Sequence, residues 1–137
     1  MNNPDKLIEK LNMINHPEGG FFSESFRDKD NNVSVIYYLL KENQKSHWHR
    51  LSKNEILHFY EGSPLNIRIS KDSKTSFTKI LGRDIDNNEN HHLVITAGSW
   101  FSMTSSGSYS LIGCTVAPGF DYKDFELADK NWEPGVY

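Results

Sequence analysis

The sequence predicts an all-β protein, a sandwich or barrel of short strands preceded by one helix. Three observations lead there. Short apolar or alternating segments recur every roughly 8–12 residues with turn residues between them, the rhythm of antiparallel β folds. Aromatic residues make up 12% of the chain, and they favour strands. Only one stretch keeps a helical period.

That stretch is 4–14. Leu7, Ile8, Leu11 and Ile14 form one apolar stripe, as an amphipathic helix requires. Pro4 suits its first turn and Asp5 its positive end. The segment His16-Pro17-Glu18-Gly19-Gly20 ends the helix, because the residue before a proline avoids the α region and glycines accept positive φ. Strands follow over 21–27 and 33–40, the second too apolar to be half-solvated. Residues 46–50 and 55–61 are expected to form a hairpin. Further strands run over 65–69, 76–81, 93–95, 99–103 and 109–116. The polar run 82–90 is the longest loop. Phe125, Leu127 and Trp132 give the tail apolar residues to pack back on the body.

The 137 residues make one domain. The net charge of −3 with no charged block argues against a nucleic-acid partner. A single cysteine, Cys114, allows no internal disulfide and points to a reducing compartment. The polar start Met1-Asn2-Asn3-Pro4-Asp5-Lys6 carries no apolar signal core, and no apolar run approaches the roughly 20 residues that span a bilayer. A cytoplasmic location without membrane association is expected.

The chemistry concentrates in Ser46-His47-Trp48-His49-Arg50, followed by Glu55. Strand alternation puts His47 and His49 on one face. A hairpin would bring Glu55 opposite them, giving two imidazoles and one carboxylate suited to a divalent transition metal. The same residues also serve a metal-free site, with His49 as general base and Glu55 as its partner. Tyr37, Tyr38 and Tyr109 are candidate phenolic acids, Tyr38 being assigned to the site. Arg50, Arg68 and Arg27 are candidate anion contacts. Trp100 and Phe101 are candidate pocket walls. Glu24 and Arg27, three apart, face opposite sides of a regular strand, so only one reaches the pocket unless a bulge intervenes. A third reading is a barrel that binds a small polar ligand without chemistry. Trp48 should point away from the histidines, into outer-sheet or dimer packing. His58 should face opposite to Glu55, and Cys114 should be a buried small hydrophobe.

The spacing His47-x-His49, five residues, Glu55, six residues, Gly62 resembles the first motif of the cupin superfamily. In the second motif, Thr96 and Phe101 stand where that superfamily has a proline and a histidine. A fuller resemblance is to the Cupin_5 type family. It is carried by His16-Pro17-Glu18-Gly19-Gly20-Phe21-Phe22, Glu24 and Arg27; Ser46-x-x-His49-Arg50; Glu55-x-x-His58-Phe59; Ala97-Gly98-x-Trp100; and Val116-Ala117-Pro118-Gly119-Phe120. It spans residues 16–127. It implies a double-stranded β-helix, a cupin jelly-roll barrel, in a homodimer. It also implies a shape like that of sugar-nucleotide epimerases. In the family Ser46, His49 and Arg50 recur, while the position of His47 is often not histidine. The expected function is therefore binding of a small polar molecule, sugar-like or sugar-nucleotide-like, in the barrel mouth, with isomerase or epimerase chemistry. The alternatives are a metal-dependent enzyme and a non-catalytic binder.

Overall fold

The computed structural model describes residues 3–136; Met1, Asn2 and Tyr137 lie outside the described residues, and with them the first two positions of the polar N-terminus. Among the described residues, eleven strands form two antiparallel sheets. In chain order they are β1 (Ile14–Asn15), β2 (Phe21–Arg27), β3 (Ser34–Lys41), β4 (Lys45–Leu51), β5 (Glu55–Gly62), β6 (Leu65–Ser70), β7 (Phe77–Leu81), β8 (His92–Ile95), β9 (Trp100–Ser105), β10 (Tyr109–Val116) and β11 (Phe125–Leu127). The first sheet has the order β1-β2-β3-β10-β5-β8 and the second β11-β4-β9-β6-β7. This is the double-sheet jelly roll expected.

The helix is shorter than its stripe suggests. α1 covers Pro4–Lys10, with the Asn3 side chain accepting from the Asp5 N–H at 2.8 Å. Asn12 then adopts a left-handed φ of 54°, which ends the helix, and Ile14 joins β1 opposite Phe22 instead. Leu7, Ile8 and Leu11 pack with Met13, Leu39, Tyr109 and Leu111 on the outer face of the first sheet.

The expected hairpin of 46–50 with 55–61 does not exist. β4 belongs to the second sheet and β5 to the first. The corner Ser52-Lys53-Asn54 carries the chain across the barrel, so β4 and β5 face each other through the interior. Aliphatic side chains including Leu57, Leu65, Ile67, Leu81, Ile95 and Ile112 fill the interior. The part bounded by β2, β3, β4 and the 120–125 segment keeps a cavity.

Two bulges position side chains around that cavity. In β4 the register with β9 shifts between Ser46 and His49. Two residues, His47 and Trp48, turn outward together, and Ser46 and His49 both point inward. In β2 the register with β3 shifts between Glu24 and Phe26, so Glu24 and Arg27 line the same cavity. Each bulge adds one unpaired residue and changes the face of everything after it.

The tail returns as β11 along the edge of β4, pairing Phe125 with Leu51 and Leu127 with His49. Lys53 and Asp124 tie it down with an ion pair at 2.9 Å, and Ser52 Oγ donates to Asp124 at 3.0 Å. Beyond β11, Trp132 lies between Trp100 and Trp48, with ring centroids 4.8 and 6.0 Å away. The outward face of Trp48, a candidate dimer contact in the sequence, is covered by the chain's own tail.

Candidate functional site

The cavity has a volume of about 140 Å³. Exposed Glu24, Arg27 and Tyr122 mark its mouth, and buried His16, Glu18, Tyr38, His49 and Cys114 its floor, with Glu55 facing in. Apolar walls come from Phe22, Ile36, Leu51, Met103, Val116, Phe120 and Phe125.

At the floor, Glu18 is 8% exposed and His49 3%. Glu18 Oε2 lies 3.3 Å from His49 Nε2, and Glu18 Oε1 lies 3.4 Å from His16 Nδ1. Ser46 Oγ donates to Glu18 Oε2. His49 Nδ1 is 2.7 Å from the His47 carbonyl oxygen. That contact needs a proton on Nδ1, because a carbonyl only accepts. The lone pair of neutral His49 is then on Nε2, facing Glu18, and one proton is shared between the two.

The loop that delivers Glu18 is fixed by its glycines. The His47 N–H, released from the β4–β9 ladder by the bulge, donates to the Glu18 carbonyl at 2.8 Å. Gly19 has φ of 112°, and a Cβ there would collide with the Lys45 carbonyl. Gly20, with φ of 77°, packs against the Leu39 carbonyl and the Tyr38 hydroxyl in the same way. Only glycine permits that approach. The bulge and the His16–Gly20 loop are therefore one construction.

Burial governs the protonation of this floor. Desolvation lowers His49 from 6.5, against the opposing pull of the His47 carbonyl and of Glu55. It lowers His16 as well, although Glu18 acts the other way. It raises Glu18 from 4.5, opposed by His16 and by hydrogen bonds from Ser46 and Tyr38. It raises Glu55 from 4.5 to about 7, a shift that His49 and the Cys114 thiol reduce and Glu18 increases. Cys114 is pushed well above 9, mainly by burial, so it is a protonated donor to Glu55 and no nucleophile at neutral pH. Tyr38 is pushed well above 10 by burial first and Glu18 second, and its hydroxyl already donates to the Gly19 carbonyl. A carboxyl group titrating near neutrality beside a histidine–carboxylic acid pair is equipped to take up and release protons.

The residues singled out in the sequence divide cleanly. His49, Glu55, Tyr38 and Glu24 line the cavity, and Phe101 packs on the His49 ring at a centroid distance of 4.1 Å. His47, Arg50, Arg68 and Trp100 do not. His47 turns outward and its Nε2 donates to the Asp129 carbonyl at 2.8 Å. Arg50, next to inward His49, points out; it pairs with Glu126 at 2.8 Å and lies 4.4 Å over the Trp100 ring. Arg68 alternates outward from Ile67 and Ile69 and lies 5.2 Å over Trp48. Trp100 faces the tail, as the residue before inward Phe101. Arg27 is the arginine that reaches the cavity. It donates to Glu24 Oε1 at 2.6 and 3.0 Å and to the Phe120 carbonyl at 2.9 Å. His58 faces outward to Thr115 Oγ1 at 3.2 Å.

The set His47, His49 and Glu55 does not fit a metal ion. His47 is on the wrong side of the sheet, and His49 spends one nitrogen on a carbonyl and turns the other to Glu18. Among the described residues, no group of three or more His, Cys, Asp or Glu side chains is arranged to hold one.

His16 and Glu18 were missed as site residues. Their signal was present, since two titratable residues within the three positions before a Gly-Gly pair announce a loop pressed against other backbone. The tail residues Phe120, Tyr122 and Phe125 carried no signal of this kind.

The model of the family Cupin_5, described as Cupin superfamily (DUF985), matches residues 5–128. The structure is similar to that of protein SO0799 from Shewanella oneidensis, with 34% identity and a TM-score of 0.88 over 94% of this chain and 86% of that one. A hypothetical protein from Leishmania major is 27% identical, with a TM-score of 0.84 over 93% and 88% of the two chains. Oxalate decarboxylase from Bacillus subtilis shares the fold alone, at 14% identity and a TM-score of 0.67 over 82% of this chain and 29% of that one. No curated protein matches the sequence. With a jelly roll of the expected topology and a family match over nearly its whole length, the chain belongs to the Cupin_5 family of the cupin superfamily.

Proposed function

We propose that this cupin binds a small polar carbonyl compound in its barrel cavity and moves a proton on the carbon next to the carbonyl, an isomerase or epimerase reaction. The observation that carries the reading is Glu55, held at about 7 and facing the same 140 Å³ cavity as the His49–Glu18 pair. At neutral pH a large fraction of Glu55 is ionised and able to accept the α-proton. The His49–Glu18 pair holds a proton that can be given to the developing oxyanion. This reverses the roles expected from the sequence, where His49 was the base and Glu55 its partner. The volume narrows the ligand. A cavity near 150 Å³ takes a molecule the size of benzene, so the reacting end has about six non-hydrogen atoms. A whole sugar nucleotide exceeds it, and any bulkier remainder would extend past Tyr122. The Glu24–Arg27 pair gives the mouth polar contacts for such a ligand.

The test is solvent exchange. Hydroxy-aldehydes, hydroxy-ketones and keto acids of small size, incubated with the protein in D₂O, should lose their α-proton NMR signal. Glu55→Gln should slow that loss by about 10²–10⁴-fold, the usual contribution of a general base. One observation favours the non-catalytic alternative: both ring nitrogens of His49 are already engaged. Saturable ligand binding with no exchange by the unmodified protein would decide for a binder. The same reading includes a homodimer that buries the outer face of the first sheet, where Val94 is 52% and Tyr60 44% exposed.

A further inference from the structure

The outer face of the second sheet carries a groove of about 420 Å³, bounded by β4, β6, β9 and tail residues 130–133. It lies on the opposite side of the sheet from the barrel cavity. Three cations line it, Lys45, Arg68 and Lys130. None of the three makes an ion pair among the described residues. Among the described residues the one carboxylate in the lining is Glu133, which leaves two positive charges in excess there. The whole chain carries −3, so the groove opposes the overall sign.

Neutral hydrogen-bonding groups sit among the cations. Across the ladders Arg68 is opposite Ser102, and Asn66 and Lys45 are both opposite Thr104, one on each side. Adjacent strands are about 4.8 Å apart, so Lys45 and Asn66 bracket Thr104 within about 10 Å, and the side chain of Arg68 reaches in from the same face. That span matches one phosphate or a pyrophosphate held from both sides. Half-buried Trp132, between Trp48 and Trp100, forms an apolar wall beside the charges.

We propose that this groove is a second binding site, for a phosphorylated small molecule. Its phosphate sits among Lys45, Arg68 and Lys130, and its organic part lies against Trp132. The site is independent of the proposed reaction in the barrel, since its charged side chains are on the other face of the sheet. Guanidinium and ammonium donors together suit phosphate oxygens, and the Trp ring accepts a flat organic group.

The test uses the full chain at low ionic strength, titrated with inorganic pyrophosphate and with AMP, read by calorimetry and by tryptophan fluorescence. Both ligands should bind saturably, and added salt should weaken both, because exposed charges are screened. AMP should also change the tryptophan emission. The double variant Arg68→Gln with Lys130→Gln should weaken both ligands at least about tenfold, equivalent to about 1.4 kcal/mol. Arg68→Lys, which keeps the charge, should retain most of the affinity, and Glu55→Gln should leave it unchanged. Three outcomes overturn the proposal. They are no saturable binding of either ligand, binding undiminished in a double variant that melts like the parent, and binding lost in Glu55→Gln, which would move the anion into the barrel. Because Arg68 and Lys130 are exposed and make no ion pair among the described residues, their removal should not unfold the chain.

Discussion

Glu55 joins stability to function at a single residue. Its carboxyl is raised from 4.5 to about 7 in the folded chain. The folded state therefore binds this proton more tightly than the unfolded one. Stability falls as pH rises from about 4.5 to about 7, the window in which only the unfolded form has released it. His16 and His49 act in the opposite sense, since both are lowered from 6.5 and both favour folding as pH rises toward 6.5. The two effects overlap, so the clean readout is a difference between variants. Glu55→Gln cannot ionise. Its melting temperature should gain on the parent's as pH goes from about 5 to about 8, by roughly 10 °C, given that the rise from 4.5 to about 7 is linked to about 3 kcal/mol and about 1 kcal/mol moves a domain of this size by about 3–6 °C. A difference that stays flat across that range would show that Glu55 keeps an ordinary carboxyl. The same residue should govern exchange, so one substitution reports on both.

At the scale of elements, the cavity is built by departures from regularity. The bulge in β4 turns His49 inward with Ser46 and ejects His47. The bulge in β2 turns Arg27 inward with Glu24. The short edge strand β11 supplies Phe125 as a wall, while the neighbouring segment supplies Phe120 and Tyr122. Beside its ladder with β4, that edge is tied by Asp124, which forms an ion pair with Lys53 at 2.9 Å and accepts from Ser52 Oγ at 3.0 Å. These two partners hold Asp124 below its usual 3.8. Asp124→Ala leaves the Lys53 ammonium without that partner and should lower the urea midpoint of unfolding. Amide exchange should speed selectively over Phe125–Leu127, because local opening precedes global unfolding at weakly held edges. Uniform acceleration across the barrel would instead mean that β11 is part of the main cooperative unit.

The whole molecule is a barrel with three different outer surfaces. α1 covers one part of the first sheet. The tail covers Trp48 and Trp100 on the second. Between them, β5 and β8 expose Val94 beside Ile56 and Tyr60 against Tyr37. A jelly roll leaves such a face open unless another surface covers it, and contiguous exposed apolar area marks interaction sites. Light scattering should give twice the chain mass of 15.8 kDa. Tyr60→Arg with Val94→Arg should return the monomer mass without lowering the melting temperature of the monomer itself. A monomer mass for the parent protein would remove the dimer from the reading. No helix among the described residues is long and apolar enough to cross a membrane.

Periodicity carries information about the nearest neighbours along a strand, and that much of this protein was legible in its residues. Alternation marked strand segments at 21–27, 65–69 and 109–116, and the structure has β2, β6 and β10 there to within a residue. Trp48 faces away from His49 as expected but shares its outward face with His47, and His58 faces away from Glu55. The family resemblance added the jelly roll, because Ser46, His49 and the Val116–Phe120 run are tied to that topology. What alternation cannot carry is a change of register, since one inserted residue reverses the face of every side chain beyond it. His47 was assigned to the wrong face for that reason, and Arg27 shares the cavity with Glu24 only because of the bulge between them. Nor does it say which sheet a strand joins. β4 and β5 look like a hairpin in sequence, yet they lie on opposite sides of the barrel. The pairing of His49 with Glu18, 31 positions apart, rests on a loop that two glycines allow so close to β4 and β3. Desolvation, the force behind the near-neutral Glu55, arises only when the barrel closes over it, so that property belongs to the folded chain alone.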